Sequence, residues 1–365
     1  MRQSYKVRAG ELVEVRNKAE VLQTLDKRGR LDGLPFMPEM FQYCGRRLRV
    51  FKRAHKTCDP PNGMAGRRML NAVHLEDIRC DGQSHGGCQA GCLIFWKDLW
   101  LKRIHPGSGA SVNPNYSEMH RVYRPGCTEK DVEADAVTPG EAGNAQDLLY
   151  SCQSTKLSEA TLPLHWWDLR QYLEDYTSGN VPIHRIVGAI AYSIIHFVAE
   201  SGMGFGSPLR GIYSLCQKAQ GGSPYPWRIG EVPKGSPTPS AKLDLQPGEW
   251  VRVKSYEQIL KTLNQNMRNK GMYFDAESVP YCGGKYRVLR RVERIIDEKT
   301  GKMLHFNNDA LILDKVVCQS HYAKFRRFCP RSIFPYWREV WLERIDSHPP
   351  KESRDGSLQT DRAGH

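Results

Sequence analysis

Hydrophobic and polar positions alternate over short stretches in much of the chain, and this is the period of a β-strand with one buried face. Valines occupy alternate positions in GELVEVR near the start and again in GEWVRVK near residue 250. The clearest helical period lies in the middle of the chain, in IHRIVGAIAYSIIHFVAE over residues 183–200. The pattern therefore predicts an α+β protein that is mostly β, with its helices concentrated in a middle segment.

The two similar β patterns belong to a longer internal repeat. A shift of 238 positions places residues 10–80 on residues 248–318 without a gap, and 17 of the 44 positions in 10–53 are then identical. Beyond Cys80 the shift becomes 241, which places FWKDLWLKRI on YWREVWLERI. We predict one unit of roughly 95 residues used twice. The G-x-x-V-x-V opening and the number of strands make each unit resemble a small SH3-like barrel.

Each repeat is predicted to close on a helix. Its two tryptophans are four residues apart, so a helix would place them on one face. These pairs are Trp96 and Trp100 in the first copy, and Trp337 and Trp341 in the second.

Charge and composition divide the chain into five parts. Residues 1–105 hold 20 basic and 11 acidic side chains, residues 241–346 hold 20 and 13, and residues 106–240 hold 10 and 13. The repeats thus carry the positive excess. We predict a first repeat over 1–105, a helical middle over 106–220, a linker rich in Gly, Pro and Ser over 221–247, a second repeat over 248–346 and a disordered tail over 347–365.

The overall composition excludes several classes of protein. With 365 residues, of which 40% are hydrophobic, the chain can bury more than one core and is not a disordered protein. It has no stretch of 18 uncharged apolar residues and no apolar segment near the amino terminus, so neither a membrane span nor a signal peptide is expected. Eleven cysteines in such a chain favour reduced thiols and metal ligation, and we expect a cytoplasmic protein.

The densest chemical signal is the run CDGQSHGGCQAGC. Its cysteine and histidine residues have the spacing C-x4-H-x2-C-x3-C, and the intervening glycines let the backbone fold around an ion. We predict a zinc ion held by Cys80, Cys88 and Cys92, with a fourth ligand from His85, Cys44 or Cys58. The CDGQSH part resembles the CDGSH iron–sulfur signature, which implies a cluster bound by Cys80 and His85. Gln83 is inserted relative to that signature, and no C-x-C precedes it.

The second repeat keeps part of this ligand set. Cys282, Cys318 and Cys329 align with Cys44, Cys80 and Cys88, and His321 follows Cys318 at nearly the spacing of the first copy. The second copy is therefore a weaker candidate metal site. The alternative is that these cysteines fill hydrophobic cores, because unpaired cysteine is among the most buried residue types. Cys127 or Cys152 is a further candidate to complete a site.

A catalytic role is the first alternative to a binding role. Cys152 precedes His165 and Asp168, which are candidates for a nucleophile, a base and its orienting carboxylate. The chain shows no phosphate-binding loop, no dinucleotide fingerprint and no H-E-x-x-H helix. A metal-binding scaffold or accessory module is therefore favoured over a metal- or cysteine-dependent enzyme.

Basic strands suggest a second kind of partner. Two stretches alternate basic with apolar residues and would show one basic face, which suits a nucleic acid or an anionic membrane surface. Their candidate contacts are Arg46, Arg47, Arg49, Arg287, Arg290 and Arg291. The helix over 183–200 either packs in the core of the middle segment or lies on a membrane surface, and the middle segment is also a candidate site for a protein partner.

Overall fold

The computed structural model describes residues 6–104, 111–112, 126–140, 148–200, 206–219, 223–323 and 327–345. These residues form a mixed α/β structure with many antiparallel strands and few helices. The tail predicted over 347–365 lies outside the described residues.

The first repeat contains nine strands, one short α-helix and three 3-10 helices. In chain order they are β1 (Leu12–Val15), α1 (Lys18–Leu22), β2 (Arg30–Leu31), β3 (Leu34–Pro35), a 3-10 helix (Pro38–Tyr43), β4 (Arg47–Arg53), β5 (Lys56–Asp59), a 3-10 helix (Pro60–Asn62), β6 (Ala65–Met69), β7 (Ala72–Arg79), β8 (Leu93–Lys97), a 3-10 helix (Asp98–Trp100) and β9 (Leu101–Ile104). With β10 (Ser111–Val112), five of these strands form an antiparallel sheet of order β10-β9-β1-β4-β7-β8.

The middle segment is mixed rather than purely helical. It contains α2 (Glu129–Ala136), β11 (Val137–Pro139), β12 (Leu148–Tyr150), β13 (Thr161–Pro163), α3 (Arg170–Thr177), α4 (Ile183–Glu200) and α5 (Gly206–Ala219). β13 pairs with β6, so the segment extends a sheet of the first repeat. The stretch predicted as a linker is also packed against the protein, because Tyr225, Val232 and Leu245 are buried.

Within its described residues, the second repeat has eight strands, one α-helix and two 3-10 helices. They are β14 (Trp250–Val253), α6 (Tyr256–Leu260), β15 (Arg268–Asn269), β16 (Met272–Tyr273), a 3-10 helix (Ala276–Tyr281), β17 (Lys285–Arg291), β18 (Arg294–Ile296), β19 (Met303–His305), β20 (Leu311–Leu313), a 3-10 helix (Glu339–Trp341) and β21 (Leu342–Arg344). Four of the strands form a sheet of order β20-β17-β14-β21.

Strand pairing in the two repeats has the same register. Leu12 pairs with Arg49 between β1 and β4, and Trp250 pairs with Arg287 between β14 and β17. The short helices also begin alike, since the Asn17 side chain caps α1 and Ser255 caps α6, each within a capping box. The same local sequence signals therefore position equivalent elements 238 residues apart.

Each repeat has an aromatic core built in the same way. The Phe36 ring meets Trp100 edge-on at a centroid distance of 5.1 Å, and Phe274 meets Trp341 at 5.2 Å. The Trp100 indole N–H donates to the hydroxyl of Thr24 at 3.1 Å. The second repeat has the same hydrogen bond, in which Trp341 donates to Thr262 at 2.9 Å. Each of these bonds satisfies an indole N–H that would otherwise be buried without a partner.

The helix predicted around the tryptophan pairs is wrong. Trp96 lies on β8, opposite Val73 of β7, and Trp100 ends the 3-10 helix that follows. Trp337 forms an isolated bridge with Leu311 and is likewise followed by a 3-10 helix that holds Trp341. A strand that runs into a 3-10 turn brings both indoles into the core, as an α-helix would. The four-residue spacing of the tryptophans therefore does not distinguish an α-helix from a strand followed by a 3-10 helix.

Among the described residues, none of the helices combines the length and the hydrophobicity that crossing a bilayer requires.

A buried ion pair attaches the middle segment to the first repeat. The Lys56 ammonium on β5 lies 2.5 Å from the Asp175 carboxylate on α3, and neither side chain is exposed to solvent. The His55 ring lies 3.3 Å from the other oxygen of Asp175. Burial lowers the pKa of Lys56, and Asp175 acts in the opposite direction. The pair is held together because either charge alone would be buried without compensation.

Asp175→Leu should lower the free energy of unfolding by about 3–5 kcal/mol, because it leaves the Lys56 ammonium buried without a counter-charge. The double variant Lys56→Met/Asp175→Leu should recover much of this loss. Urea unfolding followed by circular dichroism gives both values. As a control, Glu129→Ala removes an exposed pair with Lys18 and should cost under about 1 kcal/mol. If Asp175→Leu were no less stable than the double variant, the uncompensated charge of Lys56 would not explain the loss of stability.

Candidate functional site

The loop between β7 and β8 carries the predicted metal ligands and is closed by its own backbone. The Cys80 N–H donates to the Cys92 carbonyl at 2.8 Å, so the two ends of the loop meet. Within the loop, the N–H groups of His85 and Gly87 both donate to the Gly82 carbonyl. Gly82 has a φ of +75°, and a Cβ at this position would collide with the Cys88 carbonyl oxygen. Glycine is required there, as the sequence pattern predicted.

A buried carboxylate holds the loop to the first repeat. One oxygen of Glu39 lies 2.6 Å from Nδ1 of His85 and accepts the Ser84 N–H at 3.2 Å. The other ring nitrogen of His85 lies 3.2 Å from the carbonyl oxygen of Ser151. Burial alone would raise the pKa of Glu39, but the hydrogen bond and the charge of His85 outweigh it and lower that pKa. His85 thus joins the first repeat to the middle segment.

The second repeat uses the equivalent carboxylate in the same way. Glu277 aligns with Glu39, and its oxygens accept the backbone N–H groups of His321, Tyr322 and Ala323 at 2.7–3.2 Å. Glu39 therefore organises the loop that follows Cys80, and Glu277 organises the loop that follows Cys318. Sequence analysis missed both residues, although they are among the identities of the repeat.

Four cysteines line one small cavity beside the loop. Cys80, Cys88 and Cys92 come from the first repeat, and Cys152 comes from the middle segment. The cavity has a volume of about 40 Å³, and Ile296 and Glu298 of the second repeat complete its wall. All three parts of the chain thus meet at these thiols.

Polar contacts around this cavity suit thiolate sulfur. The Ile296 backbone N–H donates to Sγ of Cys88 at 3.4 Å, and the Ser154 hydroxyl donates to Sγ of Cys92 at 3.6 Å. Hydrogen bonds to sulfur also occur around metal-bound thiolates. Burial raises the pKa of Cys152 to about 12. Burial also raises the pKa of Cys92, while the charge of Arg331 opposes that increase.

Arg331 connects all three parts of the chain next to the cavity. Its guanidinium is buried and donates to the Cys58 carbonyl, the Ser154 hydroxyl and the Glu298 carboxylate at 2.6–3.0 Å. This cation is paired with Glu298, and its charge also acts on Cys92, where it would stabilise a thiolate.

Two overlapping ligand sets are available, and Cys80 belongs to both. Among the described residues, only Glu39, Cys80 and His85 bring possible ligand atoms within 4.8 Å of one another. The four thiols around the cavity are more widely spaced than the roughly 3.8 Å edge that Zn–S bonds of about 2.3 Å define. A bound ion would have to draw them inward. A metal on His85, in turn, would replace its contact with Glu39 or Ser151.

A second cysteine cluster lies on the other side of Arg331. Cys58 of the first repeat and Cys318 and Cys329 of the second line a cavity of about 100 Å³. Cys58 and Cys329 are in hydrogen-bond contact, and this contact, acting against burial, lowers the pKa of Cys329 to about 7. This cluster contains two of the four residues predicted as the second metal set, together with Cys58, which was predicted for the first.

The other predicted ligands lie elsewhere. Cys44 packs against the core of the first repeat, and Cys282 packs against the core of the second. Burial raises the pKa of Cys282 to about 12. His321 lines a different cavity beside α4. The surroundings of Cys44 and Cys282 are those of residues that fill a hydrophobic core, which is the alternative to metal ligation.

The three candidate catalytic residues have separate surroundings. Cys152 lines the cavity of four cysteines, whereas the His165 ring is exposed and stacks on Trp167 at 4.2 Å. The Asp168 carboxylate pairs with Arg170 at 2.8 Å, and this contact lowers the pKa of Asp168 to about 2. The structure therefore offers no evidence of an activated thiol at Cys152.

The six candidate polyanion contacts differ in exposure. Arg46, Arg47, Arg49 and Arg287 are exposed, whereas Arg290 and Arg291 are half-buried. The Arg291 guanidinium lies 2.7 Å from the carboxylate of Glu339. Binding of a polyanion by these residues stays a prediction.

Comparison of the chain with protein-family models, with curated proteins and with solved structures found no match.

Glu39→Gln should lower the free energy of unfolding by about 1.5–3 kcal/mol, because it removes a charge-assisted contact with His85 from a buried site. Urea unfolding at neutral pH measures the change. Glu76→Gln is the matched control, since Glu76 is exposed and lies 4.0 Å from Arg49, so the control should cost under about 1 kcal/mol. Equal effects of the two variants would show that Glu39 does not anchor the loop.

Proposed function

We propose that this chain is a binding or scaffold module in which two copies of one β unit and the middle segment are joined by a structural zinc ion. The ligands in this proposal are Cys80, Cys88, Cys92 and Cys152. The observation that carries it is that four thiols from two separate parts of the chain line one cavity, whose wall includes the third part. Four cysteine thiolates are an ordinary ligand set for structural zinc.

The duplication is supported by the matching register and the matching cores of the two repeats. Identical pairing offsets, equivalent helix caps and equivalent Trp–Thr hydrogen bonds at a separation of 238 to 241 residues favour one ancestral unit used twice. The SH3-like barrel predicted for each unit belongs to the same proposal. A duplicated unit gives the protein two similar faces on one rigid frame.

The size of the cavity and the raised pKa values of its thiols favour a structural role over a catalytic one. A catalytic zinc site keeps a position open for water or substrate, whereas four protein ligands close the site. A cavity of about 40 Å³ leaves little room beyond one ion. The same limit disfavours an iron–sulfur cluster, which remains the runner-up for the cofactor. Raised thiol pKa values also disfavour a cysteine nucleophile in the absence of metal.

Protein purified without chelator should contain one zinc ion per chain, measured by elemental analysis. Cys88→Ala/Cys92→Ala and Cys152→Ser should each remove this zinc and lower the melting temperature, because metal ligation adds to the folding free energy. Cys127→Ser is the matched control, since Cys127 lies outside the cavity, and it should keep the full zinc content.

Three results would contradict this proposal. Metal-free protein with unchanged stability would exclude a structural ion. Full zinc content in Cys152→Ser together with loss of zinc in His85→Ala would assign the metal to Glu39, Cys80 and His85 instead. A brown sample that contains iron and sulfide would replace zinc by the iron–sulfur cluster.

The exposed face of α4 supports a second candidate function, which is self-association. Its outward side chains follow the spacing 4-3-4-3 and are 55–73% exposed, and they are Ile183, Val187, Ile190, Ile194 and Phe197. This is the seam of a coiled coil, which a second helix covers. A helix that lies on a membrane usually carries many Lys and Arg residues, but Arg185 is the only one among these 18 residues. The seam therefore favours a helical partner over a membrane surface, and the partner in this proposal is α4 of a second copy of the chain.

Light scattering should show a dimer of the native chain, and Ile190→Glu/Ile194→Glu should convert it to a monomer. Two charges in the seam would have to be desolvated in the dimer, which opposes association. Ile229→Glu is the control, because Ile229 is similarly exposed but lies outside the helix, and it should remain dimeric. A monomeric native chain that sediments with anionic vesicles would instead support the membrane-surface alternative.

A further inference from the structure

A cavity between the helical pair and the second repeat has not been assigned a role. Its volume is about 220 Å³, and it is separate from both cysteine clusters. The walls come from α4, from α5 and from the residue pairs 321–322 and 327–328, and the lining side chains include Arg185, Tyr192, Tyr213, His321, Tyr322 and Arg327. Cationic and aromatic groups thus dominate this cavity.

Positive charges are concentrated on one side of the cavity. The guanidinium of Arg185 contacts Nε2 of His321, and the guanidinium of Arg327 donates to the His321 carbonyl at 2.6 Å. Lys52 of the first repeat also acts electrostatically on the imidazole. Burial together with the charges of Arg185, Lys52 and Arg327 lowers the pKa of His321 to about 4. Two guanidinium groups therefore contact His321, one at its ring and one at its backbone carbonyl.

The two guanidinium groups of the cavity have no direct ion pair within the described part of the chain. No carboxylate lies within 4.0 Å of the buried Arg327 or the exposed Arg185, whereas the buried Arg30, Arg53 and Arg331 each form such a pair. Glu277 acts on Arg327 only from a greater distance, and its two oxygens accept three backbone N–H groups. Neighbouring cations repel one another, so a bound anion would stabilise this arrangement.

Aromatic rings form the other side of the cavity. The Tyr192 ring lies 5.5 Å from Tyr213 and 5.4 Å from Tyr322, both measured between centroids. The guanidinium of Arg327 lies 5.0 Å from the centroid of Tyr192, so one cation also faces the aromatic wall. Such a wall offers stacking to a planar group, while the arginines offer paired N–H donors to an oxyanion.

We infer that this cavity binds an aromatic phosphate monoester, with the phosphate against Arg185, Arg327 and His321 and the ring against the three tyrosines. Phosphate is favoured over carboxylate because a monoester carries close to two negative charges at neutral pH and the cavity lining offers two guanidinium groups. This inference does not depend on the zinc proposal, since none of the lining residues is a proposed ligand.

Calorimetric titration with phenyl phosphate at low ionic strength tests this inference, with inorganic phosphate and phenol as separate probes. Phenyl phosphate should bind more tightly than either probe alone. Arg185→Gln should weaken its binding by at least about tenfold, the effect of losing one charged hydrogen bond. Arg185 is exposed at the cavity mouth, so this variant should fold normally, and unchanged zinc content and melting temperature would show that it does.

Arg228→Gln is the matched control. Arg228 also lies over a tyrosine ring, that of Tyr256, but it has carboxylate partners in Glu231 and Glu257. This variant should bind phenyl phosphate within about twofold of the native chain. Absence of binding at millimolar phenyl phosphate, or equal affinity in Arg185→Gln, would overturn the site. Equal affinity for phenyl phosphate and inorganic phosphate would overturn the aromatic part of the inference.

Discussion

The docking of the loop 80–92 between three parts of the chain is the contact on which the candidate site depends. This loop is rich in glycine and has little apolar surface, so burial of its own side chains contributes little to its stability. Its position is defined instead by polar contacts from outside. Glu39 and Ser151 hold His85, and the amide oxygen of Gln89 accepts the N–H groups of Glu293 and Arg294 in the second repeat. The cysteines are brought together as a consequence.

The two repeats exchange equivalent contacts across this interface. Cys88 receives an N–H from Ile296, which aligns with Cys58, and Cys58 in turn contacts Cys329, which aligns with Cys88. The arrangement resembles that of a symmetric dimer, in which the same surface serves both partners. The symmetry is broken where function is proposed: the first cluster gains Cys92 and Cys152, whereas the second has Ile333 at the position of Cys92. Only the first cluster therefore has four thiols.

The two halves of the molecule differ because the middle segment adds different residues to each of them. It adds Cys152 and Ser154 to one side of the interface, and it adds α4 and α5 to the other. Buried ion pairs attach it firmly to the first repeat, as Lys56–Asp175 and Arg30–Asp135 show. Its outward face keeps large apolar side chains exposed, which is unusual for a surface without a partner.

Much of the local structure could be predicted from the amino-acid sequence. The alternation in GELVEVR and GEWVRVK indicated β1 and β14, and the glycines around Cys80 indicated a tight loop. These features depend on side-chain period and backbone sterics, which act between near neighbours. Where two local structures satisfy the same spacing, as around Trp96, the sequence could not decide between a helix and a strand.

Only the tertiary structure decided which cysteines share a cavity. Cys152 is isolated in the sequence, and nothing local distinguishes it from Cys127, yet it lies with Cys80, Cys88 and Cys92. Cys58 could equally have joined the first site, but strand pairing places it with Cys318 and Cys329. Contacts between residues far apart in the chain are set by how sheets and loops pack together, and residue spacing carries no information about that packing. The sequence by itself determined the repeated pattern and the glycine- and cysteine-rich loop, and the fold determined which cysteines share a cavity.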